Sequence, residues 1–229
     1  MKPDIVIAWP GSCDYPLWRQ MIRDNRDRFD KIIIIFTKTN YGHDYRGFVA
    51  GAMQRDNCIF VDNAPVRGDQ DWRNIAVNIG LEHSNSEWVW FTEQDFLPLA
   101  GFWSVVDSAM QSNYHAIGIL EGERIHPASL FVKRELIQKT KRDFGVVPDI
   151  GDHFYRFVKD IKAQKDIWIV DKPYWSHMNG LSQNYSMLFN GEKPNWRPDE
   201  FREYLEKCLA VTVAQDSRFR AFAQGYLFP

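Results

Sequence analysis

The clearest chemical signal in the chain is Glu87-Trp88-Val89-Trp90-Phe91-Thr92-Glu93-Gln94-Asp95-Phe96. An apolar run reads as a buried strand and stops on two carboxylates, Glu93 and Asp95, one residue apart. A core strand running into acids at its carboxyl end is how an open α/β sheet presents charge to a ligand crevice. Residues i and i+2 of an extended segment point the same way, so both acids face one ion or one hydroxyl-rich ligand. The competing reading is a solvated turn after a strand.

The flanking pattern supplies the elements that must hold these acids. Asp4 to Trp9 is a β-branched strand ended by Pro10-Gly11-Ser12, and Leu17, Met21 and Ile22 fit a helix from about Tyr15 to Arg28. Lys31 to Phe36, with four consecutive isoleucines, reads as a strand buried on both faces. Cys58 to Val61 is a further strand, Asp71 to His83 a helix, and Trp88 to Phe91 the acidic strand. This β/α alternation predicts an α/β fold: a mostly parallel central sheet with helices on both faces. Helix Leu99–Gln111 and strand His115–Leu120 continue it. Beyond them we expect a strand Ser129–Val132, helices Lys133–Thr140 and Asp149–Lys162, and a strand Ile167–Val170. Loops are expected at Lys38–Asn57 and Ser176–Asn195, with a closing helix Arg197–Gln215. No repeat, linker or low-complexity tract interrupts the 229 residues. They read as one domain, with a nucleotide-binding half near 1–96, an acceptor-side half near 97–195 and a helical extension over 196–229.

Composition removes several classes of function. Hydrophobic residues make up 45% and charged residues 25%, and the net charge of −2 gives no basic surface for nucleic acid or an anionic membrane. Cys13, Cys58 and Cys208 are widely spaced without a CxxC, which fits reduced thiols rather than disulfides or a zinc site. No segment approaches the roughly 18 apolar residues of a membrane helix. Met1-Lys2-Pro3-Asp4 also leads into a strand with no signal-peptide pattern, so the expectation is a cytoplasmic protein. No GxGxxG, GxxxxGK[ST] or GxSxG follows any strand, which excludes the dinucleotide fingerprint, the P-loop and the α/β-hydrolase elbow. Aromatic content is 15% with nine Trp; exposed Trp and Tyr suit sugar or base faces.

Six segments in order carry a family resemblance: Ile5 to Ser12; Asp71-Trp72-Arg73-Asn74 with the later Gly80; Glu93-Gln94-Asp95; Ala128 to Glu135; Gly151-Asp152-His153-Phe154-Tyr155-Arg156; and His177-Met178-Asn179-Gly180-Leu181-Ser182. The chain resembles a glycosyltransferase of the GT-A fold, most similar to the family 2 type, over most of residues 4 to 190. Glu93-Gln94-Asp95 is similar to that family's DxD motif.

The resemblance implies transfer of a sugar from a nucleotide-diphosphate donor, with UDP the first choice, to an acceptor hydroxyl, with inversion. It implies nucleotide contacts from Trp9, Pro10, Thr37, Arg73, Glu93 and Gln94. A divalent cation, Mn²⁺ or Mg²⁺, would be held by Asp95 and His177, because hard cations take carboxylate oxygens and imidazole tolerates Mn²⁺. Asp152 is the implied proton acceptor, at a helix start that keeps a carboxylate ionised. Each residue has a plainer reading: an N-cap for Asp152, a surface salt bridge for Arg73, a surface loop position for His177. Glu121 and Glu123 are fallback bases, and Trp175, Tyr174 and Trp103 are candidate walls for a sugar ring. Three rival functions stand beside this one: a non-catalytic sugar-nucleotide or glycan-binding module, a sugar-phosphate nucleotidyltransferase, and a metal-dependent hydrolase. The nucleotidyltransferase would need a basic Gly-rich loop after the first strand, and Trp9 to Asp14 carries no Lys or Arg.

Overall fold

A computed structural model of the chain describes residues 1–37, 43–62, 72–121, 124–139, 167–178, 180–195 and 198–229. Seven strands form one sheet: β1 (Asp4–Trp9), β2 (Ile32–Phe36), β3 (Cys58–Asp62), β4 (Trp88–Glu93), β6 (Ala116–Glu121), β7 (Arg124–Lys133) and β8 (Ile167–Ile169). Their order is β3-β2-β1-β4-β7-β6-β8. Only β7 runs against its neighbours, so the sheet is mostly parallel. A second, two-stranded ribbon pairs β5 (Phe96–Pro98) with β9 (Trp175–His177) antiparallel.

The helices are α1 (Pro16–Asp24), α2 (Arg46–Met53), α3 (Trp72–His83), α4 (Phe102–Met110), α5 (Arg134–Lys139), α6 (Leu181–Phe189), α7 (Pro198–Ala210) and α8 (Ser217–Leu227). The period-2 alternation of the strands sorts the core into two layers. Ile5, Ile7 and Trp9 of β1 join Ile32, Ile34, Phe36, Trp88 and Trp90 on one face, covered by α1, α2, α4 and the C-terminal helices. Val6, Ala8, Ile33, Ile35, Val89 and Phe91 face the other way, against Ala76 and Val77 of α3 and Leu136 and Ile137 of α5. Gly80 lets α3 approach β1, since a Cβ there would lie 2.2 Å from Val6 Cγ1.

The inner end of β1 is tied down by a carboxylate. Asp4, fully buried, accepts hydrogen bonds from Ser84 Oγ (2.7 Å), Asn85 N (2.8 Å), Ser86 N and Oγ (both 2.9 Å) and Lys31 N (3.0 Å). Burial pushes its carboxyl up, but the Ser86, Ser84 and Asn85 hydrogen bonds outweigh that and hold it below its ordinary value.

Several expectations are corrected. The segment 38–57 is not all loop: α2 occupies Arg46–Met53. The segment 176–195 holds the end of β9 and the whole of α6. The single closing helix is two, with a break after Ala210 that lets α8 fold back on α7. The short strand expected at Ser129 begins at Arg124. Trp is chiefly core: of the seven whose side chains are described, Trp9, Trp18, Trp88, Trp90 and Trp175 are buried, and Trp103 and Trp168 are partly buried. The helix expected over Asp149–Lys162 lies outside the described residues. Among the described residues no helix is long and apolar enough to cross a membrane.

Candidate active site

Strand β4 is the platform. Trp90 lies parallel to Phe131 of β7, with ring centroids 4.8 Å apart and planes within 4°, and packs edge-on to Trp103 at 5.4 Å. Its indole N–H donates to Ser129 Oγ at 2.9 Å. Thr92 Oγ1 donates to the Ala128 carbonyl at 3.0 Å. This anchoring holds the last strand residue, Glu93, which sits opposite Ala8 of β1.

Strand β4 ends there, and Gln94 and Asp95 form a turn into β5. The two acids therefore meet across a turn rather than by extended alternation. The ribbon brings the third residue: Phe96 pairs with His177, and Met178 N donates to the Asp95 carbonyl at 2.9 Å. His177 Nε2 consequently lies 3.4 Å from Asp95 Oδ1 and 4.0 Å from Glu93 Oε2. The three side chains are 2%, 6% and 10% exposed for His177, Asp95 and Glu93. One donor atom from each lies within 4.8 Å of the others, the arrangement a cation needs. Asp95 Oδ1 is buried with no hydrogen-bond partner among the described residues. Two carboxylates and an imidazole form an O,O,N donor set suited to Mn²⁺ and tolerable to Mg²⁺.

Behind Asp95 runs a polar relay. Gln94, 3% exposed, donates through Nε2 to Ser182 Oγ at 3.2 Å, and Ser182 Oγ pairs with the Tyr15 hydroxyl. Burial pushes the Tyr15 phenol well above its ordinary value, so it stays neutral as a hydrogen-bonding post. The middle residue of Glu93-Gln94-Asp95 thus reaches inward to α6. Gly180, at φ +76°, turns the chain from β9 into that helix and places Ser182 in its first turn. A cavity of about 20 Å³, room for about one water, lies beside Glu93 against Ala8, Thr92 and Pro127.

The other expected residues divide. Trp9 is fully buried, with its ring edge-on to Tyr15 and Trp18 at 5.2 Å, so its side chain is core. Its carbonyl accepts from Thr37 N at 2.9 Å. Pro10 and Thr37 stand, buried, at the carboxyl ends of β1 and β2. Arg73 is on α3, with its side chain outside the described part. Asp152 and Glu123 lie outside the described residues, as does the Glu121 side chain. Trp175 is buried against Phe96, and Trp103 lies under the Arg28 guanidinium at 5.2 Å.

Three residues escaped sequence reasoning. Arg46, pinned by Asp44 at 2.7 Å and Asp62 at 2.9 Å, lies over Gly11 in the turn after β1. Tyr15 anchors the relay. His126, 5% exposed, packs its ring against His177 with centroids 4.5 Å apart. Tyr15 and His126 leave no local pattern because their partners Ser182 and His177 are far away in sequence, and the Arg46 pairing with Asp44, though local, gives no sign that the side chain lies over Gly11.

The C-terminal helices close the back of the site. Tyr185 of α6 contacts Tyr15 at 6.2 Å, Phe201 of α7 at 5.7 Å and Phe219 of α8 at 6.0 Å. Between α1, α7 and the rear of the ribbon lies a groove of about 740 Å³, lined by Leu17, Met21, Leu97, Ser176, Met178 and Tyr204 among others.

No family model matches the chain, and no curated protein matches it. Solved structures do match. S. aureus TarS, residues 1–349, superposes with a TM-score of 0.58 at 11% identity, over 99% of this chain and 69% of that one. Glucosyl-3-phosphoglycerate synthase from Mycobacterium tuberculosis, in complex with Mn²⁺, UDP and glucosyl-3-phosphoglycerate, gives 0.55 at 14% identity, over 85% of this chain and 81% of that one. The chain has a GT-A fold. At these identities the likeness is one of fold. The same TarS fragment is known with UDP-GlcNAc, at a TM-score of 0.52, and the present chain spans 43% of a longer TarS structure.

Proposed function

We propose that the chain is a nucleotide-sugar-dependent glycosyltransferase whose donor is a UDP-sugar and whose acceptor is a hydroxyl group. The observation that carries this is the buried Glu93–Asp95–His177 cluster at the carboxyl end of the central strand. Two fold neighbours support it: TarS in complex with UDP-GlcNAc, and the mycobacterial synthase in complex with Mn²⁺ and UDP. Asp95, His177 and Glu93 would hold Mn²⁺ or Mg²⁺, which when bound neutralises the charge of a diphosphate leaving group. Gln94, Ser182 and Tyr15 hold the turn that carries Asp95. Pro10 and Thr37 line the nucleotide end of the crevice, and Arg73 is assigned to the nucleotide on its place in α3. Asp152 is assigned as the base that takes the acceptor proton, giving inversion; its support is the resemblance of Gly151 to Arg156. Residues 1–229 are assigned as one catalytic domain.

A thermal-shift panel tests the reading: UDP, GDP, CDP and dTDP, each with and without Mn²⁺, on wild type and Asp95→Ala. A ligand at 100 times its Kd adds about 2.7 kcal/mol of stability. Stabilisation by UDP that needs both Mn²⁺ and Asp95 is the expected result. Stabilisation indifferent to Mn²⁺, or no response to any nucleotide, refutes it.

A further inference from the structure

We propose that His126 is a positioning residue that fixes the His177 imidazole in its metal-ligating orientation. The proposal rests on the metal-centre reading above. The ribbon alone places only the His177 backbone: β9 is three residues long, and its pairing with Phe96 sets where the Cα stands, not how the ring is turned. A ring that must put Nε2 toward two carboxylates needs a wall. His126 supplies one, with its ring centroid 4.5 Å from that of His177 and the planes inclined by 51°.

Strand β7 is distorted in a way that delivers this wall. Its pairing with β6 runs from Gly118 opposite Leu130 to Leu120 opposite Ile125, so two residues of advance on β6 meet five on β7. The surplus falls on His126 to Ser129 and includes Pro127, which has no N–H to give a ladder. Irregularities of this kind re-aim side chains beside functional sites. Here the His126 ring is locked from its own strand, because Nδ1 accepts a hydrogen bond from Ala128 N at 3.1 Å across Pro127. The result is a rigid, 5% exposed imidazole backed by the sheet. Its nitrogens fall outside the cluster of mutually close donors, which contains only Glu93, Asp95 and His177 among the described residues. His126 therefore acts through His177. Residues that orient a ligating imidazole typically change metal affinity about 10–100-fold when replaced.

Two substitutions separate the ring contact from the local hydrogen bond. His126→Gln keeps an acceptor for Ala128 N–H and loses the ring. His126→Phe keeps a ring and loses the acceptor. Mn²⁺ uptake is titrated by the loss of the free-ion electron paramagnetic resonance signal in wild type, both variants and Asp95→Ala. The visible absorption of the Co²⁺-loaded forms is recorded alongside, and melting temperatures check folding. We expect H126Q to bind Mn²⁺ about 10–100-fold more weakly with altered Co²⁺ bands, and H126F to stay near wild type. Wild-type affinity in H126Q, or a loss in H126F as large as in H126Q, overturns the proposal. A wild-type protein that takes up no Mn²⁺, or equal uptake by Asp95→Ala, removes the metal centre itself and this inference with it.

Discussion

Replacing Arg19 with Met is expected to destabilise the protein by about 3–5 kcal/mol, the range for stranding a buried charge. Arg19 and Asp14 side chains are 2% and 0% exposed and joined by a fork of two hydrogen bonds, Nε to Oδ1 at 2.9 Å and NH2 to Oδ2 at 3.1 Å. Arg19 also donates to the Ala214 carbonyl, and Asp14 accepts from Asp216 N at 3.0 Å. Met retains the bulk of the stem but leaves the Asp14 carboxylate with that one peptide donor. A chain of this size loses about 2–4 °C of Tm per kcal/mol, so the expected fall is about 6–20 °C. Burial pushes Asp14 above its ordinary value of 3.8, and Arg19 pulls it back only in part. A folded-state pKa above the unfolded one contributes stability below the unfolded value and loses it as pH rises through the folded one. Removing Arg19 raises Asp14 further, so the deficit of the variant should narrow on acidification. The assay is urea denaturation at several pH values, with Asp14→Leu/Arg19→Met as the second arm. That double substitution removes both charges and should recover most of the loss. A single variant within 1 kcal/mol of wild type, or a double no better than the single, refutes the reasoning.

Asp4→Asn should destabilise by about 3 kcal/mol or more, since all five donors around Asp4 would lose a charged acceptor and those on one oxygen would face an amide N–H group instead. The folded pKa of Asp4 is depressed, so its contribution is present above 3.8 and lost as pH falls through the folded value. The acid limb of the stability curve should flatten in the variant when urea midpoints are compared across pH. Gly80→Ala drives a methyl into Val6 and should cost about 1–3 kcal/mol, largely recovered in Val6→Ala/Gly80→Ala, as read by calorimetry. Ser182→Ala strands Gln94 Nε2 and the Tyr15 hydroxyl, with an expected loss of about 1–3 kcal/mol and weaker Mn²⁺-dependent nucleotide binding by titration calorimetry.

The parallel half of the sheet was legible because β1, β2 and β4 are apolar on both faces, a pattern that buried parallel strands impose on sequence. Helix α2 hid because Arg-Gly-Phe-Val-Ala-Gly-Ala-Met contains two glycines, which read as loop, and tertiary packing of Val49 and Met53 overrides that propensity. Helix α6 hid for a similar reason: Ser182, Asn184 and Ser186 are weak helix formers, and Leu181 and Tyr185 hold the helix by burial. The first half of β7 was missed; the strand passes through Pro127, which gives no ladder N–H, on an irregularity. At the site, the spacing of Glu93 and Asp95 was visible, whereas His177 was named only through the family resemblance, because the three-residue ribbon that joins it to them has no periodic signal. His126 carried none either. Contacts between residues far apart in sequence, made by short elements, leave no local trace.

The ribbon has two working sides. One side presents the His177 imidazole to the acids, and Leu97, Ser176 and Met178, with part of His177, wall the groove against α1 and α7. A two-stranded ribbon has little stiffness of its own and takes its position from what it leans on. On the metal-centre reading proposed above, the residues walling that groove set the position of His177 from behind the ribbon. Enlarging Ser176 or trimming Met178 would change that support while leaving Glu93, Asp95 and His177 themselves in place.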